Sequence, residues 1–209
     1  SAGPYTWPVK DRYFCICDSL ADVITDSGFS WPSMVPCCRA EATSGQADFD
    51  RCLTASGISM AWQTGLLLRA QGLAPQRVLA SAAVRTAQTA FLVRQAVAGL
   101  SQPEVAVQPD FGPGIPVQLQ TGLYGASADA FADAARYHAA PEESSVLVVG
   151  HNPGMAMLMC CWGLSAFSVP PATLAAFRFD VSDWLEAGRS GCHGELILLI
   201  RNARLDSGH

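Results

Sequence analysis

Apolar residues recur along this chain in two rhythms. Short unbroken runs have the length and aliphatic content of buried strands: Arg77-Val-Leu-Ala80, Val146-Leu-Val-Val149, Leu174 to Phe179 and Glu195 to Ile200. Glu104 to Val107 and Tyr13-Phe-Cys-Ile-Cys17 are further strand candidates. Between these runs the period becomes helical. Thr54 can cap a helix to about Ala70, with Ile58, Ala61, Gly65 and Leu68 along one face and Gly72 and Pro75 as stops. A second helix is predicted from Val84 to Ala98, ended by Gly99. Ser127 can cap a third, whose face carries Ala130, Phe131, Ala134 and Ala135. A short, very apolar helix is predicted from Met155 to Leu164, and Phe111 to Pro116 reads as a Gly/Pro-rich loop. Strands alternating with helices over short links predict an α/β protein, a three-layer α/β/α sandwich with a mostly parallel central sheet.

Residues 1–38 follow neither rhythm. They hold Cys15, Cys17, Cys37, Cys38, Trp7 and Trp31, a possible short helix at Leu20 to Ile24, and a loop from Gly28 to Pro36. The expected division is therefore an atypical or irregular segment over 1–38 and a regular domain over 39–209, with no internal repeat and no interdomain linker.

Composition narrows the class. Half of the 209 residues are hydrophobic and 15% are charged, which suits a chain with a full core and argues against disorder. The formal net charge of −5 lacks the basic footprint of a nucleic-acid binder. No apolar stretch is long enough to span a bilayer, and the N-terminus lacks the layout of a secretory signal. The expectation is a cytoplasmic protein without membrane or nucleic-acid partners. Its eight cysteines are then reduced thiols, since a chain with this core needs no disulfide framework. Cys15/Cys17 with Cys37/Cys38 do not have a standard zinc spacing.

Two strand-to-helix turns carry the candidate chemistry. In Val146-Leu-Val-Val-Gly-His-Asn-Pro-Gly-Met155, Gly150 ends a strand, and Pro153 and Gly154 suit a tight turn into a helix. His151 and Asn152 are thereby held at a strand's carboxyl end beside helix N–H groups, where an α/β sheet binds anions. In Ala80-Ser-Ala-Ala-Val-Arg-Thr-Ala-Gln-Thr89, Ser81 sits at the turn and Arg85 in the first helical turn. A cation there opposes the helix dipole, and an anion bound between Arg85 and the helix N–H groups removes the conflict. Each residue alone has a plainer reading, Arg85 as a solvated surface charge and His151 as a brace for its turn. Together, at the same sheet edge, they point to phosphate. Arg39, in Cys38-Arg-Ala-Glu-Ala42, is a third candidate ligand, and Glu41 the nearest candidate acid. Asp48, Asp50 and Arg51 read as a polar loop leading into a helix. His138 reads as a partly buried helix-end residue, His193 lies in a Gly/Ser/Cys loop, and His209 is terminal.

Taken in order, these segments resemble the histidine phosphatase superfamily, specifically its small SixA-type phosphohistidine phosphatases. The resemblance covers about residues 39–203. It rests on Arg39-Ala-Glu-Ala42, Asp50-Arg-Cys-Leu-Thr-Ala-Ser-Gly57, Val78-Leu-Ala-Ser-Ala-Ala-Val-Arg-Thr-Ala-Gln-Thr89, Leu123-Tyr124, Gly150-His-Asn-Pro-Gly154 and Pro170-Pro-Ala-Thr-Leu174. It implies a phosphoglycerate-mutase-like fold and no metal or organic cofactor. The implied substrate is a phosphorylated protein carrying phosphohistidine, or a small phosphate ester. In that family a histidine attacks phosphorus, while two arginines and a second histidine hold the phosphoryl oxygens. By position, Arg39 and Arg85 resemble the arginines and His151 the second histidine, with Ser81 and Asn152 shaping the phosphate site.

The chain departs from the family at the nucleophile: no histidine precedes His138. Aligned with a one-residue deletion, Arg39 is the family arginine and the histidine after it is absent. Aligned without a gap, Arg39 replaces the histidine and Cys38 the arginine. The family's first strand should run directly into this segment. Met34-Val-Pro-Cys-Cys38 stands there instead, and Pro36 would break a central ladder; Tyr13 to Cys17 is the other candidate for that slot, although it lies far from Arg39. Three readings follow. Cys37 or Cys38, lowered in pKa by neighbouring cations, would replace the nucleophile; the chain would be a non-catalytic phosphate or phosphoprotein binder; or the coding frame is shifted upstream. In the last case Leu-Leu written CTG-CTG reads TGC-TGC, Cys-Cys, and an alternate upstream frame must show an aliphatic run ending in Arg-His.

Overall fold

The computed structural model describes residues 11–18, 48–103, 114–165, 169–170, 172–189 and 194–206. Among these residues seven strands form one sheet: β1 (Asp11–Asp18), β2 (Arg77–Ser81), β3 (Val117–Gln120), β4 (Ser145–Gly150), β5 (Leu174–Asp180), β6 (Glu195–Arg201) and β7 (Arg204–Leu205). Their order is β3-β2-β4-β1-β5-β6-β7. The pairs β3/β2, β2/β4 and β4/β1 are parallel, and β5, β6 and β7 add antiparallel pairs at the other side. Among the described residues four helices cover the sheet: α1 (Ala55–Ala70), α2 (Val84–Ala98), α3 (Ala128–His138) and α4 (Gly154–Cys161).

Strand alternation sorts the core into two faces. Phe14, Leu79, Val146, Val148, Ala175 and Phe177 point to the side where Phe131 of α3 and Met155 and Met159 of α4 pack. Their neighbours Cys15, Val78, Ala80, Leu147, Val149 and Ala176 point to the opposite side, against Leu68 of α1 and Ala90 and Val93 of α2. Both faces are buried, which is why the central strands read as continuous apolar runs. The result is the expected three-layer α/β/α sandwich.

The caps stand where the sequence placed them. Thr54 accepts a hydrogen bond from the Gly57 N–H, Ser127 accepts one from the Ala130 N–H, and Gly99 closes α2 in a left-handed conformation. Gly65 lets α1 and α2 touch, since a Cβ there would lie 2.7 Å from both the Ala96 Cβ and the Val93 carbonyl oxygen.

Two features refine the expectation. First, the strand candidate at Tyr13–Cys17 lies within β1, a central strand paired with β4 on one side and β5 on the other, inside the segment set apart as atypical. The strand slot falls to Tyr13–Cys17 and its neighbours, which carry no proline to break the ladder, unlike the run before Arg39. At its amino end Arg12 is buried, donating to the carbonyls of Pro141, Glu143 and Ser182 with its guanidinium over Trp184. Second, β3 begins at Val117, just after the expected loop, whereas the strand expected at 104–107 lies outside the described residues. Among the described residues no helix is long and apolar enough to cross a membrane.

Candidate functional site

The parallel register brings three strand ends side by side: Asp18 of β1 pairs with Gly150 of β4, and Ala80 of β2 pairs with Val149. Just past these ends the β2–α2 and β4–α4 turns deliver Ser81, Arg85 and His151. All three are buried, at 0%, 7% and 7% exposure.

Local sequence dictates the geometry. Ala83 enters α2 in an extended conformation without a side-chain cap, so Arg85 occupies the first turn, where unsatisfied N–H groups gather. Gly150 and Gly154 bracket His151 because neither position has room for a Cβ. One at Gly150 would lie 2.3 Å from Phe131 Cε1, and one at Gly154 would lie 2.1 Å from the Ala126 carbonyl oxygen. Phe131 and the chain at Ala126 thus press the turn against the sheet and hold the imidazole inward.

The imidazole is held from both nitrogens. Arg85 Nη2 lies 3.2 Å from Nδ1, and because a guanidinium only donates, Nδ1 is the acceptor. The ring proton therefore sits on Nε2, which donates to Ser81 Oγ at 3.0 Å. Thr86 Oγ1 lies 3.5 Å from Nε2 while donating to the Ala83 carbonyl at 2.9 Å. The His151 pKa falls from 6.5 to about 4, first because burial disfavours the imidazolium, then because of the Arg85 charge; Asp48 opposes the shift. His151 is neutral at physiological pH.

Arg85 has a second set of partners that the sequence did not single out. Asp48–Asp50 form a 3-10 turn. Asp48 accepts from Arg85 twice, at its carbonyl oxygen from Nη1 (2.6 Å) and at its carboxylate Oδ2 from Nη2 (2.9 Å). Tyr124 also donates to Oδ2, at 2.8 Å, and stands edge-on to both His151 and Phe49. That Tyr124 hydrogen bond is the main reason the Asp48 carboxyl lies below its ordinary pKa, with the Arg85 bond and charge reinforcing it. Reciprocally, the Asp48 bond raises the Tyr124 phenol. The buried Nε of Arg85 has no hydrogen-bond partner among the described residues.

Of the expected site residues, Arg85, His151 and Ser81 meet. Asn152 serves its turn instead: Oδ1 accepts from the Ala156 N–H at 3.1 Å and Nδ2 donates to the Val169 carbonyl at 3.2 Å. Arg39, Glu41, Cys37, Cys38, His193 and His209 lie outside the described residues. His138 ends α3 and lies 3.3 Å from the Gln118 side chain. Asp48, Tyr124 and Thr86 are the site members that sequence reasoning missed. Tyr124 and Thr86 fall inside the quoted motifs, and Asp48 falls just before one. Cys15 packs in the core, where burial pushes its thiol up to about 12. Among the described residues no cluster of His, Cys, Asp and Glu is arranged to hold a metal ion.

Chemically, the site offers one buried guanidinium and one neutral imidazole at the foot of a helix N-terminus, an arrangement suited to a compact oxyanion. No protein-family model matches the chain, and no curated protein matches it. Solved structures do. A protein described as a SixA phosphohistidine phosphatase from Agrobacterium tumefaciens is 21% identical with a TM-score of 0.57, over 91% of this chain and 97% of that one. A protein histidine phosphatase SixA complexed with tungstate is 17% identical with a TM-score of 0.58, over 91% and 97%. A mycobacterial glucosyl-3-phosphoglycerate phosphatase is 12% identical with a TM-score of 0.52, over 90% and 97%. The chain therefore has the phosphoglycerate-mutase-like α/β fold that these phosphatases share.

Proposed function

We propose that the protein is a phosphohistidine phosphatase-like protein that takes the phosphoryl group of a phosphorylated protein, or of a small phosphate ester, into the Arg85–His151–Ser81 pocket. The observation that carries this reading is the 3.2 Å contact between Arg85 Nη2 and His151 Nδ1. Two residues from separate strand-to-helix turns converge on one buried point, beside the N-terminus of α2. The resemblance of the two motifs, and the phosphatases sharing the fold, support the same substrate class. Arg39 is proposed as a further phosphoryl ligand, and Asn152 as the residue that fixes the turn carrying His151. The net charge of −5 favours no nucleic-acid partner, and we assign the protein to the cytoplasm.

A second reading is a binder that does not turn over, and one observation favours it: no histidine precedes His138. Removing one member of a concerted catalytic unit removes most of its rate. One experiment separates the two. Hydrolysis of a chromogenic phosphate monoester and of a phosphohistidine peptide is measured beside equilibrium binding of tungstate, in the wild type and in Arg85→Ala. Turnover lost in Arg85→Ala establishes an enzyme. Absent turnover with Arg85-dependent tungstate binding establishes the binder. If tungstate binds equally with and without Arg85, neither reading survives.

A further inference from the structure

The Asp48 carboxylate lies where an oxyanion held by Arg85 would compete with it. Arg85 is 7% exposed, and a buried guanidinium without a counter-charge is costly. Asp48 supplies that charge through its carboxylate Oδ2, which meets Nη2 and is held by the Tyr124 hydroxyl, while its backbone carbonyl accepts from Nη1. We propose that Asp48 is a built-in pseudo-ligand: its carboxylate caps the Arg85 site and must be displaced for a phosphoryl group to bind. This inference rests on the phosphoryl-pocket reading above.

Three observations make displacement feasible. The Asp48 side chain is 51% exposed, so it can leave without disturbing the core. It sits on a three-residue 3-10 turn rather than on a long element. Its other oxygen, Oδ1, already lies 3.5 Å from Arg51 Nη1 at the surface, so the released carboxylate keeps a cation. Asp48 thus stands between an inner and an outer arginine. The exchange involves no covalent step: one carboxylate leaves Arg85 and one phosphoryl group takes its hydrogen bonds.

The cap also confers selectivity. A phosphoryl group carries about −1.5 to −2 charge and three strong acceptor oxygens. A carboxylate ligand carries no more charge than Asp48 and competes against a group tethered at high effective concentration. The pocket therefore admits phosphoryl groups and excludes carboxylates.

The test is equilibrium binding of tungstate and of inorganic phosphate at neutral pH to the full chain, by calorimetry, in the wild type, Asp48→Asn and Asp48→Ala, with Arg85→Ala as the pocket control. Asp48→Asn keeps the shape and the Tyr124 bond but removes the charge, so it guards against misfolding in Asp48→Ala. The expected result is affinity about tenfold higher in both Asp48 variants, the scale of one charge-assisted hydrogen bond. Acetate should compete with tungstate in Asp48→Ala and not in the wild type. Unchanged or weaker binding in both Asp48 variants, with Arg85-dependent binding intact, overturns the cap and leaves the pocket standing. Loss of Arg85 dependence overturns both.

Discussion

Arg85 and His151 are 66 positions apart in sequence, yet Nη2 of the first donates to Nδ1 of the second at 3.2 Å. A guanidinium only donates, so the imidazole meets it with a lone pair; burial first, and the Arg85 charge second, keep that ring neutral. One full positive charge at the foot of α2 then needs an anion, and the protein meets that need internally with Asp48.

Arg85→Ala should weaken tungstate binding by about a hundredfold, since it removes two or more charge-assisted hydrogen bonds of roughly 1.5–3 kcal/mol each. Arg85→Lys should recover only part of that loss, because an ammonium cannot reproduce the planar fork that now meets Asp48 at two nitrogens. Calorimetric titration of the three proteins checks both statements. Full recovery by lysine would mean that charge alone, rather than geometry, holds the anion.

His151 makes stability depend on pH in a defined window. Its folded-state pKa of about 4 lies below the ordinary 6.5, so between these values the unfolded chain binds a proton that the folded protein does not. The stability contributed by the neutral imidazole is complete above about pH 6.5. It is lost progressively as pH falls to about 4, to a total of roughly 3 kcal/mol. Urea denaturation between pH 4 and 7 should show this slope in the wild type and a shallower one in His151→Gln. Bound phosphate or tungstate places negative charge beside the ring and should raise its pKa, visible by NMR as a shift of the His151 Cε1–H titration midpoint to higher pH. An identical slope in His151→Gln would assign the acid sensitivity to other groups.

Much of this was legible in the chain because pattern and chemistry coincided. The α2 boundaries Val84–Ala98, the Thr54 and Ser127 caps, and the apolar runs of β2, β4, β5 and β6 are local signals that the fold preserves. β3 was not legible: Val117-Gln-Leu-Gln120 is four residues at a sheet edge, half polar, and a short alternation competes poorly with loop signals. Tyr13–Cys17 reads as a strand and as one candidate for the family's first strand, but its distance from Arg39 along the chain leaves that central place open. Strand order is a tertiary choice that no local period encodes. Asp48 and Tyr124 share a reason for being missed. Their meeting at Oδ2 bridges 76 positions, and each reads alone as an exposed polar residue. Arg85 did carry a clue, a cation set against its helix dipole, but the clue named a missing anion without naming Asp48.

Gly154→Ala should destabilise the protein by about 2 kcal/mol or more, the range for forcing atoms into a filled space. Its Cβ would approach the Ala126 carbonyl oxygen to 2.1 Å, and backbone cannot yield as a flexible side chain can. Because the same turn carries His151, the variant should also bind tungstate more weakly, even under conditions where it is fully folded. A urea midpoint unchanged from wild type would show that the chain at Ala126 does not press on this turn.

Ser81→Ala tests how the neutral imidazole is held. The change removes the 3.0 Å acceptor of the His151 Nε2–H, in a site where Ser81 itself is fully buried, and the Thr86 oxygen lies farther off at 3.5 Å. A buried donor stripped of its acceptor costs about 1–3 kcal/mol. The proton cannot move to Nδ1 instead, because Arg85 donates there. The ring must therefore turn or accept a poor bond, so the loss should appear in urea denaturation at pH 7. It should disappear when His151 is already replaced: in His151→Leu, the further change Ser81→Ala should cost little. The double-mutant cycle isolates the Ser81–His151 term from other effects of removing the hydroxyl. A coupling energy near zero would mean that Ser81 serves the turn alone, through its 3.4 Å contact with the Ala83 N–H, and that the Nε2–H tautomer is fixed by Arg85 without it.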